Sequence, residues 1–212
     1  MSEARSTVFV VDDDDAVCRA LTRLICSAGY CVESFESAHE FLETCPHLEG
    51  CACLVLDIGL PDINGLELQN ELIALNRSLP IIFITGRGDI AMTVKAMKAG
   101  ATDFLAKPVR DSELLSAIAN ALRVSSQALS SRIELDSIHR RMARLTPRER
   151  EVLALLVEGR LNKQVASELG VAEKTIKVHR ARVMEKMEAH SLIDLVRVID
   201  KACISPSPGQ SA

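Results

Sequence analysis

The sequence predicts a chain in two parts: an α/β unit built on a five-stranded parallel sheet, then a smaller all-α unit. Three observations carry this. Between residues 7 and 124, short apolar runs alternate five times with amphipathic stretches, the pattern of successive βα units. From residue 146 onward, capping residues and glycines punctuate helical patterns only. The charge also divides unevenly, with 11 Lys+Arg against 20 Asp+Glu in residues 1–138 and 14 against 9 in residues 139–203. An acidic front and a basic back point to two domains with different partners, the basic one suited to nucleic acid.

The bulk properties narrow the class further. Of 212 residues, 48% are hydrophobic, enough for packed cores. No run approaches the ~20 apolar residues of a membrane span. The start, MSEARSTVFVVDDDD, lacks the basic-then-apolar pattern of a signal peptide, so a cytoplasmic protein is expected. Seven cysteines without a CxxC pair do not suggest a disulfide framework. Cys45, His47, Cys51 and Cys53 cluster, but their spacing matches no zinc pattern, and Cys51 and Cys53 read as small apolar groups entering a strand.

The front half reads in order as follows. Thr7 to Val11 is a β-branched apolar strand ending in Asp12 to Asp15. Val17, Leu21, Leu24, Ile25 and Ala28 mark a helix closed by Gly29. Cys31 to Ser34 is a short strand, and Ala38 to Thr44 a helix capped by Ser37 with Glu40 three residues on. Cys53 to Leu56 is an apolar strand buried on both faces, halted by Asp57 and the breakers Gly59 and Pro61. Leu66 to Leu75 is a helix, and Pro80 to Ile84 a strand ending at Thr85-Gly86. Ile90 to Ala99 is a helix stopped by Gly100; Thr102 to Leu105 is the fifth strand, followed by Lys107-Pro108. Asp111 caps a last helix to about Val124.

Parallel strands share one carboxyl edge, where ligands bind in such sheets. Asp12 and Asp13, Asp57, Thr85 and Lys107 therefore converge. Three carboxylates in one cleft repel unless a cation sits among them, and oxygen ligands with room for water suit Mg²⁺. Thr85 offers a hydroxyl and Lys107 an ammonium, the complement of a phosphoryl oxygen. The cleft reads as a Mg²⁺-dependent phosphoryl acceptor with Asp57 as nucleophile. Asp14 and Asp15 fit a solvated helix N-terminus instead. No GxxxxGK[ST] or GxGxxG motif supports nucleotide binding.

VFVVDDDD, LVLDIGLPDINGLEL, FITGRGD and DFLAKP resemble the receiver domain of two-component response regulators, over roughly residues 6–125. The resemblance implies a flavodoxin-like (βα)5 fold with Asp57 as phosphoacceptor. By the same match Asp13 ligates Mg²⁺ directly, Asp12 mostly through water, and the Gly59 backbone carbonyl completes the protein ligands. Thr85 would bond the phosphoryl group, Lys107 pair with it, and Phe104 be the switch aromatic that turns inward on activation. A cis Lys107-Pro108 bond is also implied. Gly59 and Arg87 occupy positions that tune loss of the phosphoryl group; Gly59 has no side chain to position a hydrolytic water.

Residues 121–145 continue as helix, with Ala121, Val124, Ala128, Leu135, Ile138, Met142 and Leu145 on a 3-4 spacing. A solvated connecting helix or a dimer seam would fit. Behind it, Thr146 is an N-cap with Pro147 at the first position, and the helix ends at Gly159. Lys163 to Leu169, a turn at Gly170 and a longer helix to Met187 give a helix-turn-helix pattern; a last helix follows from Ser191 to about Cys203. In the longer helix Ile176, Val183, Met184 and Met187 form an apolar face, and Lys174, Lys177, His179, Arg180, Arg182 and Lys186 lie elsewhere. Phosphates need cations, and base edges need reachable helix side chains.

LTPREREVLALLVEGRLNKQVASELGVAEKTIKVHRARVMEKM resembles the LuxR-type helix-turn-helix of the NarL/FixJ family, and with the receiver the chain resembles its FixJ-like subgroup. This implies a receiver at 1–124, a helical linker at 125–141, a four-helix DNA-binding domain at 142–204 and a disordered tail at 205–212. Lys177, Val178 and Ala181 would face base edges. Lys174, Thr175, Arg180, Arg182 and Lys186 would contact phosphates. The implied function is a transcription regulator whose DNA binding is controlled by Mg²⁺-dependent phosphorylation of Asp57. The implied partners are a sensor histidine kinase, duplex DNA, a second copy on phosphorylation, and RNA polymerase. Two other classes remain open on the residues alone: an enzyme hydrolysing phosphate esters through Asp57, and a DNA-binding protein with an inert receiver. The first lacks a substrate-sized insertion; the complete Asp, Thr and Lys set argues against the second.

Overall fold

The computed structural model describes residues 6–44, 50–75, 77, 79–86 and 90–204. Cys45, His47, Arg87 and the tail 205–212 lie outside these residues. Five strands form, of which β1 and β4 are runs of β-branched and aromatic residues: β1 (Thr7–Val11), β2 (Cys31–Phe35), β3 (Ala52–Asp57), β4 (Ile81–Thr85) and β5 (Asp103–Ala106). All pairs are parallel, in the order β2-β1-β3-β4-β5.

The unbroken apolar runs are explained by burial on both faces. Val8, Val10, Cys53, Val55, Ile82 and Ile84 face a core completed by α1 (Asp15–Ser27) and the start of α5 (Asp111–Ala143). Their neighbours Phe9, Val11, Leu54, Leu56 and Phe83 pack on the other face against Phe41 of α2 (Ala38–Thr44), Leu68 and Leu72 of α3 (Gly65–Ala74) and Ala96 of α4 (Ile90–Lys98). Side chains alternate across a strand, so each run of four to six residues serves two cores.

Local signals place the helix ends. Asp14 caps α1 by accepting from the backbone N–H groups of Ala16 and Val17, as expected for the acidic run. Asn64 caps α3. Gly65 approaches β3 closely: a Cβ there would lie 2.8 Å from the Asp57 carbonyl oxygen. Strand β3 includes Asp57 itself, one residue further than the pattern suggested, because its backbone remains in register with Ile84.

The chain divides into two compact units between Leu129 and Ser130. Helix α5 runs unbroken through this point for 33 residues. Its acids, Asp111 and Glu113, stand in the first turn and Arg140 and Arg141 in the last, which suits the helix dipole. Val124, Ala128 and Ile133 are exposed, the state of a solvated connecting helix, while Ile138 is buried in the second core. That core is closed by α6 (Pro147–Val157), α7 (Asn162–Glu168), α8 (Glu173–Met187) and α9 (Leu192–Ile204). Thr146 and Glu149 form a reciprocal capping box at the start of α6. Between α7 and α8 the chain turns at Gly170 with φ +64°, a left-handed conformation that glycine adopts without steric cost.

Candidate functional site: a carboxylate cleft and a basic recognition helix

The order β2-β1-β3-β4-β5 reverses direction between β1 and β3. At such a switch point a crevice opens beyond the strand ends. Asp12 follows β1 and Asp57 ends β3, so both stand at its mouth. One carboxylate oxygen from each of Asp12, Asp13 and Asp57 can be chosen so that all lie within 4.8 Å of one another. Asp12 is buried and Asp13 exposed, while the Asp57 side chain is 11% exposed.

Lys107, just past β5, reaches into this group. Its Nζ donates to Asp12 Oδ2 and to Asp57 Oδ2, each at 2.6 Å. The remaining oxygens are held locally: Asp12 Oδ1 accepts from the Asp14 N–H and Asp57 Oδ1 from the Gly59 N–H, both at 3.0 Å. Burial pushes the Asp12 carboxyl above its usual range, although the hydrogen bond from Lys107 pulls the other way. Burial works against the charge of Lys107, but its hydrogen bonds to Asp12 and Asp57 outweigh it, and its pKa is raised. Among the described residues, three carboxylates against one ammonium leave the cleft short of positive charge. This oxygen-rich donor set is typical of a Mg²⁺ site.

The other expected residues fall around this centre. Thr85 is buried at the end of β4, and its carbonyl accepts from the Lys107 N–H at 2.7 Å. The Lys107-Pro108 peptide is cis. Phe104 is partly buried, its ring centroid 6.5 Å from that of Phe83. Gly59 follows β3 in an exposed position. Sequence reading did not find Asp62, which accepts from the His39 N–H at 2.9 Å and so ties the loop after Asp57 to α2. A contact across 23 residues leaves no local signal.

In the second unit, α8 packs through Ile176, Val183 and Met187. Lys174, Thr175, Lys177, Val178, Ala181 and Arg182 are exposed. Val178 is 46% exposed, an apolar side chain among cations, which suits contact with a base edge more than with phosphate. Arg180 is half-buried and donates to Asn162 Oδ1 at 3.2 Å. Lys186 is engaged inside the unit, at 2.6 Å from Glu149 Oε2 and 3.2 Å from the Arg144 carbonyl. The hydrogen bond from Lys186, with that from the Thr146 N–H, lowers the Glu149 pKa to about 2. Of the cysteines, Cys53 is buried and its thiol is pushed up to about 12, which makes it inert packing. Among the described residues no helix is long and apolar enough to cross a membrane.

Comparison with known proteins agrees with both halves. Residues 8–119 match the family model of the response regulator receiver domain, and residues 143–199 that of the bacterial regulatory proteins, luxR family. The chain is 45% identical over 201 residues to the response regulator protein TodT of Pseudomonas putida, covering 95% of this chain and 88% of that one. It is 41% identical over 195 residues to the transcriptional regulatory protein FixJ of Bradyrhizobium diazoefficiens, covering 92% and 95%. Among solved structures, the response regulator StyR superposes with a TM-score of 0.85 at 46% identity, over 93% of this chain and 100% of that one. The chain therefore belongs to the two-component response regulators in which a receiver domain is followed by a LuxR-type DNA-binding helix-turn-helix.

Proposed function

We propose that Asp57 accepts a phosphoryl group from the phosphohistidine of a sensor kinase, and that its arrival controls dimerisation and DNA reading by α8. The observation that carries this is the carboxylate cluster with Lys107 bridging Asp12 and Asp57 at 2.6 Å to each. An Asp57 carboxylate oxygen attacks phosphorus, a new P–O bond forms, and the P–N bond breaks with its electron pair leaving on the imidazole nitrogen. Asp12, Asp13, Asp57 and the Gly59 carbonyl would hold Mg²⁺, which when bound offsets the negative charge of carboxylates and phosphoryl oxygens. Lys107 then pairs with a phosphoryl oxygen and Thr85 donates its hydroxyl to another.

The phosphoryl group carries about −2 while Asp57 gives up the charge of its own carboxylate, so the cleft becomes more negative by about one charge, now spread over phosphoryl oxygens. Lys107 and Thr85 are drawn toward it, and Phe104, which pairs with Phe83 on the neighbouring strand two residues before Thr85, follows inward. The surface that changes is α4 and β5, about residues 89–105, where a second copy docks. Paired copies present two α8 helices to two half-sites one helical turn apart. Lys177, Val178 and Ala181 read bases; Lys174, Thr175, Arg180 and Arg182 contact phosphates. RNA polymerase is the downstream partner.

The test is labelling with a small phosphodonor. The wild type takes up phosphate at Asp57 only with Mg²⁺ present and binds DNA more tightly afterward. Equal labelling of Asp57→Asn refutes the site.

A further inference from the structure

The recognition helix ends in a set of contacts that DNA does not need to supply. The last carbonyls of any helix lack intrahelical partners. Here Arg141, near the end of α5, donates from Nη1 to the Met187 carbonyl at 3.2 Å and pairs through Nη2 with Glu188 at 3.2 Å. Glu188 itself turns at φ 56°, left-handed although not glycine, a conformation that persists where surroundings hold it. Two residues before Glu188, Lys186 bonds Glu149 Oε2 and the Arg144 carbonyl. Glu149 is 2% exposed and Lys186 28%. The same Glu149 oxygen accepts from the Thr146 N–H at 2.8 Å, so the capping box of α6 fixes where the carboxylate stands.

We infer that Lys186 and Glu149 are positioning residues for DNA reading: together with Arg141 they set the C-terminal end of α8 against α5 and α6, and Lys186 is not a phosphate ligand. A cation bonded to a buried carboxylate and a carbonyl has little left for an external anion. What the clamp fixes is the angle at which Lys177, Val178 and Ala181 meet the bases. The inference rests on α8 being the DNA-reading helix. It departs from the assignment of Lys186 to the phosphate-contacting set.

The substitutions Glu149→Gln and Lys186→Met separate the roles. Gln retains the capping box, which accepts Glu or Gln at this position, and loses only the charge partner. A freed phosphate ligand makes Glu149→Gln bind DNA more tightly; a lost clamp makes it bind more weakly. The probe is a duplex of about 30 base pairs, some three helical turns, enriched from a randomised pool by the phosphodonor-treated full-length chain, with a scrambled duplex as comparator. Both variants are expected to lose about tenfold on the enriched duplex, the scale of one good base contact. Binding to the scrambled duplex and the slope of log K on log salt stay as in the wild type. Lys186→Met that flattens the slope by about 0.9, the value of one phosphate contact, overturns the inference, as does tighter binding by Glu149→Gln. A loss equal on both duplexes, tracking the unfolded fraction in a thermal melt, overturns it as well.

Amide exchange in the DNA-free full-length chain gives an independent reading. The N–H groups of Glu188 and Ala189 bond the Glu185 and Met184 carbonyls, and their protection falls in both variants if the clamp holds this turn. Unchanged protection overturns the clamp. Failure of the pool to enrich any duplex counts instead against α8 as a reading helix, and the exchange result still decides the clamp.

Discussion

Each unit of this protein holds a lysine against a buried carboxylate, and the two arrangements differ in their charge count. Lys107 meets Asp12 and Asp57, with Asp13 close by, so the group stays net negative. Lys186 meets one carboxylate, Glu149, whose other demands are met by its own helix cap. Burying charge is costly unless it is paired and hydrogen-bonded. A balanced pair is complete and serves as a fastener. An unbalanced cluster is a candidate site, because carboxylates in excess over the described cations favour a guest cation. The pKa shifts run in opposite directions: burial raises that of Asp12 despite its hydrogen bond from Lys107, while the hydrogen bond from Lys186 lowers that of Glu149.

The largest effect that could break this comparison is at Asp57. Asp57→Asn should abolish Mg²⁺-dependent phosphate incorporation and every phosphodonor-induced gain in DNA affinity, while the second unit melts as in the wild type. Incorporation is read by mass spectrometry and melting by dichroism. A phosphodonor response that survives in this variant would mean the cleft is not the site.

Next come two glycines that differ in the same spirit. At Gly65 a Cβ would meet the Asp57 carbonyl oxygen at 2.8 Å and the Phe83 ring at 3.2 Å. Gly65→Ala must push the acceptor strand, so it should lose about 1–3 kcal/mol in denaturant unfolding and slow labelling at Asp57. Gly170 has open space around it and needs glycine only for φ +64°. Gly170→Ala should cost about 1–2 kcal/mol and leave labelling untouched. Loss of labelling in Gly170→Ala, or none in Gly65→Ala, would contradict the geometry.

The smallest effect is a sign. Glu149 has a depressed pKa, about 2 against an ordinary 4.5, so its contribution to stability is present above pH ~4.5 and is lost as the pH falls toward 2. Asp12 has a raised pKa. Its charged form costs stability at neutral pH, and that cost is relieved as the pH falls through its folded pKa, above the ordinary 3.8. Lowering the pH in metal-free buffer should therefore weaken the second unit and ease the first. Subtracting the pH–stability curves of Glu149→Gln and Asp12→Asn from the wild type isolates the two slopes, and slopes of like sign would undo the contrast.

The carboxylate cleft was legible in the sequence because its residues sit at strand ends. Alternation of β-branched runs with amphipathic stretches is enough to make the sheet parallel, and a parallel sheet brings Asp12, Asp57, Thr85 and Lys107 to one edge. The basic surface of α8 was legible for a similar reason: its buried residues recur at helical spacing, so the exposed cations and Val178 follow. Contacts between elements far apart in the chain were not legible. Glu149 carries the local signature of a capping residue, but nothing near it announces Lys186, 37 residues away. Asp62 looks like a turn residue until α2 is folded against it.

By itself, then, the sequence determined which elements form, which edge of the sheet carries the chemistry, and which helix face carries the cations, since periodicity and capping act over a few residues. Only the tertiary structure decided which charges meet. Lys107 and Lys186 carry the same side chain, one just past β5 and the other in the last turn of α8. One was brought to an excess of carboxylates and the other to a single satisfied partner, because desolvation and pairing depend on neighbours that local sequence does not specify.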